Sequence, residues 1–175
     1  MDGAIAMNKI KTIFQLNKIV NSLKKKRKTV GLITGVFDVL HFEHVEFLFF
    51  AKKRADFLII GIESDENVKL FKGKGRPLFD FKKRVSVLSA MECVDFIFRV
   101  PKIKKNILTH PYYPEFYKKI VENVGPDFLI SNISSDRFWK EKKQRAEKLN
   151  IKFIVYDKKP TISSSQIVST LLKIS

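Results

Sequence analysis

Cysteine is all but absent from this chain of 175 residues, with Cys93 standing alone. One thiol rules out an internal disulfide and suits a reducing compartment. Between Met91 and Val94 it reads as a buried packing residue rather than a nucleophile. Long apolar runs are missing too: none approaches the length that crosses a bilayer, and the N-terminus lacks a charged start followed by a continuous apolar stretch. A cytoplasmic protein without a membrane segment is expected. Metal ligands are scarce. His41 and His44 are three apart, but no Cys, His or Asp cluster elsewhere offers the third ligand a metal site needs, so no protein metal ligand is assigned. Acidic residues are the last shortage, 18 against 34 Lys and Arg, for a net charge of +16. That balance favours anionic partners: nucleotides, sugar phosphates, nucleic acid or a membrane surface. The lysines are spread along the chain. The densest run, Lys24-Lys25-Lys26-Arg27-Lys28, has no interleaved aromatics for stacking on RNA and reads as a solvated helix end.

What is present alternates strand with helix. After a patternless stretch from Met1 to Met7, Ile13, Leu16, Ile19, Val20 and Leu23 keep helical spacing, so residues 1–28 read as a tail and an amphipathic helix and 29–175 as the main domain. Strands are predicted at 29–34, 57–62, 94–100, 127–130 and 152–156. Helices are predicted from Phe42, with Val45, Leu48, Phe49 and Lys52 on one face; from Asp80, with Phe81, Val85, Leu88 and Cys93 inward; from Pro114 to Val124; and from about Asp136 to Leu149. Residues 69–77, with Lys72, Lys74 and Arg76 among glycines, read as a flexible basic loop. Segment 102–113 has no clear period. The pattern predicts an α/β fold: a five-stranded parallel sheet with helices on both faces, binding ligands beyond the carboxyl ends of its strands where strand order switches.

The organising stretch is Gly35-Val36-Phe37-Asp38-Val39-Leu40-His41-Phe42-Glu43-His44. A strand, a glycine turn and a helix start bring unpaired backbone N–H groups and the positive end of the helix dipole to one point, which makes an anion site. Both imidazoles can face that anion; the alternatives are a metal half-site and an ordinary helix surface. Near the other end, Ile162-Ser163-Ser164-Ser165-Gln166-Ile167 is a strong helix N-cap signal whose hydroxyls can also hold phosphate.

GVFDVLHFEH resembles the G-x-F-D-x-x-H-x-G-H signature of the cytidylyltransferase-like nucleotidyltransferases. KGKGRPL resembles the K-G-x-x-R-P segment of their heptose-phosphate adenylyltransferase branch, and ISSSQI resembles a second signature, I-S-T-[ST]-x-[IV]. The glycerol-3-phosphate cytidylyltransferases belong to the same neighbourhood. The likeness covers about residues 10 to 172. It implies a Rossmann-like fold and transfer of a nucleoside monophosphate from CTP or ATP, with Mg²⁺, to a phosphorylated sugar or polyol. A homodimer is expected and no nucleic acid partner; the alternative readings are a catalytically weak or inactive nucleotide-binding relative and, behind it, a charge-driven RNA-binding module.

On that resemblance, His41, His44, Lys72 and Arg84 stabilise charge on the phosphates. Thr34, Gly35, Val36, Phe37, Asp38, Glu43, Lys74, Lys158, Ile162, Ser163, Ser164 and Ser165 bind the nucleotide. Loop 131–136 faces the base or the acceptor. Glu43 departs from the family's glycine. It adds bulk and negative charge near the phosphates, and at ~4 Å like charges cost about 1 kcal/mol in water and more in a dry site. Glu43→Gly is therefore expected to raise nucleotide affinity; a lower affinity would make the carboxylate part of the working site.

Overall fold

The apolar runs pair as the alternation predicts. The structure, a computed structural model, describes residues 8–103, 113–159, 161–162 and 166–170. In chain order it contains α1 (Ile13–Lys25), β1 (Val30–Gly35), α2 (Phe42–Lys52), β2 (Phe57–Glu63), α3 (Asp65–Lys72), α4 (Phe81–Ser89), β3 (Phe96–Val100), α5 (Tyr113–Val124), β4 (Phe128–Asn132), α6 (Trp139–Lys148) and β5 (Lys152–Tyr156). The strands form a five-stranded parallel sheet in the order β3-β2-β1-β4-β5. The order reverses between β1 and β4, where Gly31 faces Phe128 and Leu32 faces Leu129. Crevices open at the carboxyl ends of strands at such a reversal.

Period-two alternation splits the buried side chains between the two faces. Leu32, Ile59 and Leu129 point to one side, where Leu16 and Val20 of α1 and Ile120, Val121 and Val124 of α5 cover them. Ile33, Ile60 and Ile130 point to the other, under Phe47, Leu48 and Ala51 of α2 and Val85 and Leu88 of α4. Helix α1 therefore belongs to the same core as the sheet, although a sequence boundary at residue 28 sets it apart. Its start is a capping box, in which the Thr12 hydroxyl accepts from Gln15 N while the Gln15 side chain accepts from Thr12 N. The basic run is partly neutralised, since Lys24 pairs with Asp127 and Lys28 with Asp56.

Three sequence expectations change. Residues 65–72 are helical, so Lys72 ends α3 rather than riding on a flexible loop; Gly73 stops the helix with φ 87°. The reason is local: the Ser64 side chain caps the helix by accepting from Asn67 N, and Asp65 and Glu66 occupy its first turn. On α2 the buried face is Phe47, Leu48 and Ala51, and Phe49 is exposed. The helix is rich in apolar residues all round, so periodicity alone does not say which face the sheet will take. Cys93 is buried, as expected, but in the turn after α4 rather than on the helix.

Candidate active site

The turn between β1 and α2 is built around a close approach. A Cβ on Gly35 would lie 2.9 Å from Cε2 of Phe37, so only glycine lets that ring fold back over the strand end. Phe37 itself takes a left-handed φ of 50°, a conformation that costs a bulky residue on the order of 1–3 kcal/mol and that surrounding contacts must hold. Those contacts converge on Asp38. Its carboxylate is buried and accepts from Leu78 N at 3.1 Å and Phe79 N at 2.9 Å, and it lies 2.8 Å from the Arg76 guanidinium. Asp38 therefore ties segment 76–79 over the turn. Asp38, expected as a nucleotide ligand, lines the cavity beside this turn while its oxygens also accept from these protein donors.

A cavity of about 680 Å³ opens beside this turn at the carboxyl edge of the sheet. Thr34, Gly35, Val36, Phe37 and His44 line one wall. Lys72 and Arg76 bring cations to it, and Val168 and Ser169 reach it from the far end of the chain. Residues of the first signature and two residues that follow the second thus line one cavity. Ser163, Ser164 and Ser165 lie outside the described residues, as do residues 104–112, most of the segment expected near the acceptor or a dimer contact.

The histidines pack against each other with ring centroids 4.0 Å apart. His44 lies deeper. Its pKa falls from 6.5 to about 4, because burial disfavours the cation and His41 and Lys72 repel it. The ring is neutral at pH 7, and its buried Nδ1 has no hydrogen-bond partner among the described residues. His41 sits at the N-cap position of α2, and its Nδ1 meets the Glu43 carboxylate at 2.7 Å. Burial lowers the Lys72 pKa, and the nearby Arg76 charge adds to that effect.

Arg84 is not where the family likeness puts it. The side chain is wholly buried. Nε donates to Phe79 O at 3.1 Å, one terminal nitrogen to Val36 O, and the other to Glu63 O at 2.8 Å and Asp65 at 2.6 Å. It braces the turn from below and does not line the cavity. A guanidinium offers donors in a fixed fork, and here the protein occupies that fork. His41, Glu43, Lys74, Lys158 and Ile162 are also not among the residues that line the cavity. Lys158 is exposed and holds both oxygens of Glu46 at 2.7 Å.

Sequence reasoning missed the floor. Glu63 ends β2 with a buried carboxylate that accepts from Tyr117 Oη at 2.9 Å and Asn67 Nδ2 at 2.8 Å. Burial raises its pKa against those two bonds. Lys142 donates to Thr34 O at 2.8 Å and to Asp136 at 2.6 Å. Burial pushes the Asp136 carboxyl up, but the Lys142 charge and the bonds from Lys142, Ser131 and Phe138 N outweigh it and leave the pKa lowered. Arg145 lies 5.1 Å from the Tyr117 ring centroid, and Asn132 completes the floor. The one available signal was Glu63, a carboxylate closing an apolar parallel strand. Lys142 and Arg145 were lost among 34 basic residues. Loop 131–136 does face the cavity, through Ser131, Asn132, Ser135 and Asp136.

Among the described residues no group of three or more His, Cys, Asp or Glu is arranged to hold a metal ion, and no helix is long and apolar enough to cross a membrane.

A family model described as cytidylyltransferase-like matches residues 32–170. The chain is 32% identical over 146 residues to the bifunctional protein HldE of Desulfatibacillum aliphaticivorans, a match covering 74% of this chain and 30% of that protein. It is 33% identical over 129 residues to HldE of Helicobacter acinonychis, covering 74% of this chain and 27% of the other. It therefore spans less than a third of the length of these curated relatives. Among solved structures, a lipopolysaccharide core biosynthesis protein from Thermoplasma volcanium superimposes with a TM-score of 0.57 at 26% identity, over 76% of this chain and 99% of that one. The pantoate-beta-alanine ligase of Francisella tularensis, solved with beta-gamma ATP and beta-alanine, gives a TM-score of 0.60 at 18% identity over 92% of this chain and 76% of its own, a likeness of fold.

Proposed function

The chain belongs to the cytidylyltransferase-like family, and from that premise we propose that it transfers a nucleoside monophosphate from CTP or ATP to a phosphorylated sugar or polyol, releasing pyrophosphate. One observation carries the reading. His44, Lys72 and Arg76 surround the β1–α2 turn at the strand-order reversal, and residues following the second signature close the same cavity.

In this mechanism an acceptor phosphate oxygen attacks the α-phosphorus in line. The new P–O bond forms as the bond to the β-phosphate oxygen breaks, and pyrophosphate leaves with the electron pair. No protein nucleophile is needed; positioning and electrostatic stabilisation carry the rate. His44, neutral at pH 7, offers phosphate a hydrogen bond rather than a charge, while Lys72 and Arg76 supply the cations. The backbone N–H groups at the start of α2 add fixed partial positive charge. The acceptor's hydroxyls meet the floor. Each Glu63 oxygen accepts one protein bond and keeps a lone pair for a ligand hydroxyl.

Mg²⁺ is part of this reading as the partner of the triphosphate, yet the residues do not provide it a protein ligand. Among the described residues no group of three or more His, Cys, Asp or Glu is arranged to hold it. The ion would arrive on phosphate oxygens and water, as is usual for magnesium, and no step here runs through it. The proposal also carries a cytoplasmic homodimer, which sedimentation of the purified chain tests. The activity test is pyrophosphate release from ATP or CTP with a panel of sugar and polyol phosphates. At least one pair must turn over, and His44→Ala must abolish it; a purified protein that binds no nucleoside triphosphate overturns the proposal.

A further inference from the structure

Glu43 occupies the position where the family signature has glycine, and the structure shows it at work. One oxygen meets His41 Nδ1 at 2.7 Å. The other accepts from the Thr161 hydroxyl and, at 3.2 Å, from Thr161 N. Thr161 lies 118 residues away, two positions before the serine run of the second signature. Glu46, one helical turn further along α2, holds Lys158 in the same way. Two carboxylates three apart on α2 thus grip residues 158 and 161, themselves three apart. Asn132 Nδ2 adds a bond to Lys158 O, and the Ser134 hydroxyl donates to Asp157. The approach to the second signature is strapped to the helix that carries the first.

The chemistry at His41 follows. The Glu43 carboxyl is held down to about 2, first by the Thr161 hydroxyl and then by its own backbone amide, so it is ionised and can only accept. Nδ1 of His41 must therefore carry the proton. That leaves Nε2 as the nitrogen available to a ligand, with a negative charge behind the ring to balance a second proton when a phosphate oxygen approaches. The groups facing this ring are Glu43, His44 at 4.0 Å between centroids and, beyond His44, Lys72.

We propose that Glu43 is a positioning residue: it fixes the tautomer of His41 so that Nε2 addresses the nucleotide phosphates, and through Thr161 it ties the segment preceding the second signature to α2. The proposal rests on the nucleotidyl-transfer reading, but its first test does not. In the full-length ¹⁵N-labelled chain, long-range ¹H–¹⁵N spectra report the protonation of each imidazole nitrogen, and His41→Asn assigns the signals. The expected result at pH 8 is a proton on His41 Nδ1 that moves to Nε2 in Glu43→Gly. A wild-type His41 protonated on Nε2 alone overturns the proposal whether or not the enzyme turns over.

The second test is kinetic. Thr161→Val, which removes the hydroxyl bond of the strap and keeps the carboxylate, should raise the nucleotide KM several-fold at unchanged kcat. Glu43→Gly should also lower kcat by about tenfold or more, the scale of one lost hydrogen bond to a charged group. Glu43→Gln keeps one acceptor oxygen where Glu43 uses two, so it can serve Thr161 or His41 but not both and should recover only part of KM and of kcat. Tighter ATP or CTP binding with undiminished kcat in Glu43→Gly would show the carboxylate to be an obstruction, the outcome its bulk alone predicts. If wild type releases no pyrophosphate while His41 keeps its proton on Nδ1, the activity proposal fails and the tautomer assignment stands.

Discussion

Removing Arg84 separates a bracing role from a phosphate-binding one. Arg84→Met deletes a guanidinium that donates to Phe79 O, Val36 O, Glu63 O and Asp65. Three buried carbonyls lose a charged donor, and the Asp65 carboxylate loses its counter-ion. Removing one partner of a buried pair costs ~3–5 kcal/mol. Asp65 is partly wet and still accepts from Phe81 N, which pulls the figure toward the lower end, about 3 kcal/mol. Against a domain stability of roughly 5–15 kcal/mol that is a large fraction. With a urea dependence of about 1–3 kcal/mol per molar, the unfolding midpoint should fall by about 1–3 M. Far-UV circular dichroism and the fluorescence of Trp139, the single tryptophan, should report the same shift. Arg84→Lys, a point charge on a shorter reach, should recover only part of it. A near-wild-type midpoint for Arg84→Met, combined with lost ATP or CTP affinity in the folded variant, would refute the reasoning and return the residue to the phosphates.

Three further outcomes follow from the geometry. The His44 ring resists protonation in the native state, so between pH 6.5 and about 4 the unfolded chain binds a proton that the folded chain does not; stability should be complete above 6.5 and fall by up to about 3 kcal/mol on acidification, and the difference between wild-type and His44→Gln urea midpoints across that window measures it. A Cβ on Gly61 would stand 2.7 Å from Cζ of Phe98, so Gly61→Ala should cost about 1–3 kcal/mol, and adding Phe98→Leu should restore part of it in thermal unfolding. Glu63→Gln should raise the KM for the sugar or polyol phosphate by about tenfold, the value of one hydrogen bond to a charged group, and leave the nucleotide KM unchanged; equal effects on both would contradict its place at the acceptor end.

Local spacing carried this protein a long way. Alternating β-branched runs and 3.6-period stripes were enough for five strands, the intervening helices other than α3, and a parallel sheet, because both periodicities are properties of neighbouring residues. Gly35 before a helix start marked the tight turn for the same reason: a close backbone approach is written into one residue and its immediate neighbours. What spacing could not say is which partner a polar side chain takes once the chain closes. Arg84 and Asp38 resemble phosphate ligands along the sequence. In three dimensions they spend their hydrogen bonds on Val36, Phe79, Leu78 and Asp65, because a buried charge must be satisfied by whatever the fold puts beside it. Glu43 read as an intruder until Thr161, 118 residues away, came within reach of it. Glu63, Tyr117 and Lys142 share a cavity floor only because β2 ends, and α5 and α6 begin, at the same edge of the sheet. The elements, then, are settled by neighbours a few residues apart; the wiring of the site is settled by topology, which alone decides which distant charges are forced together out of water.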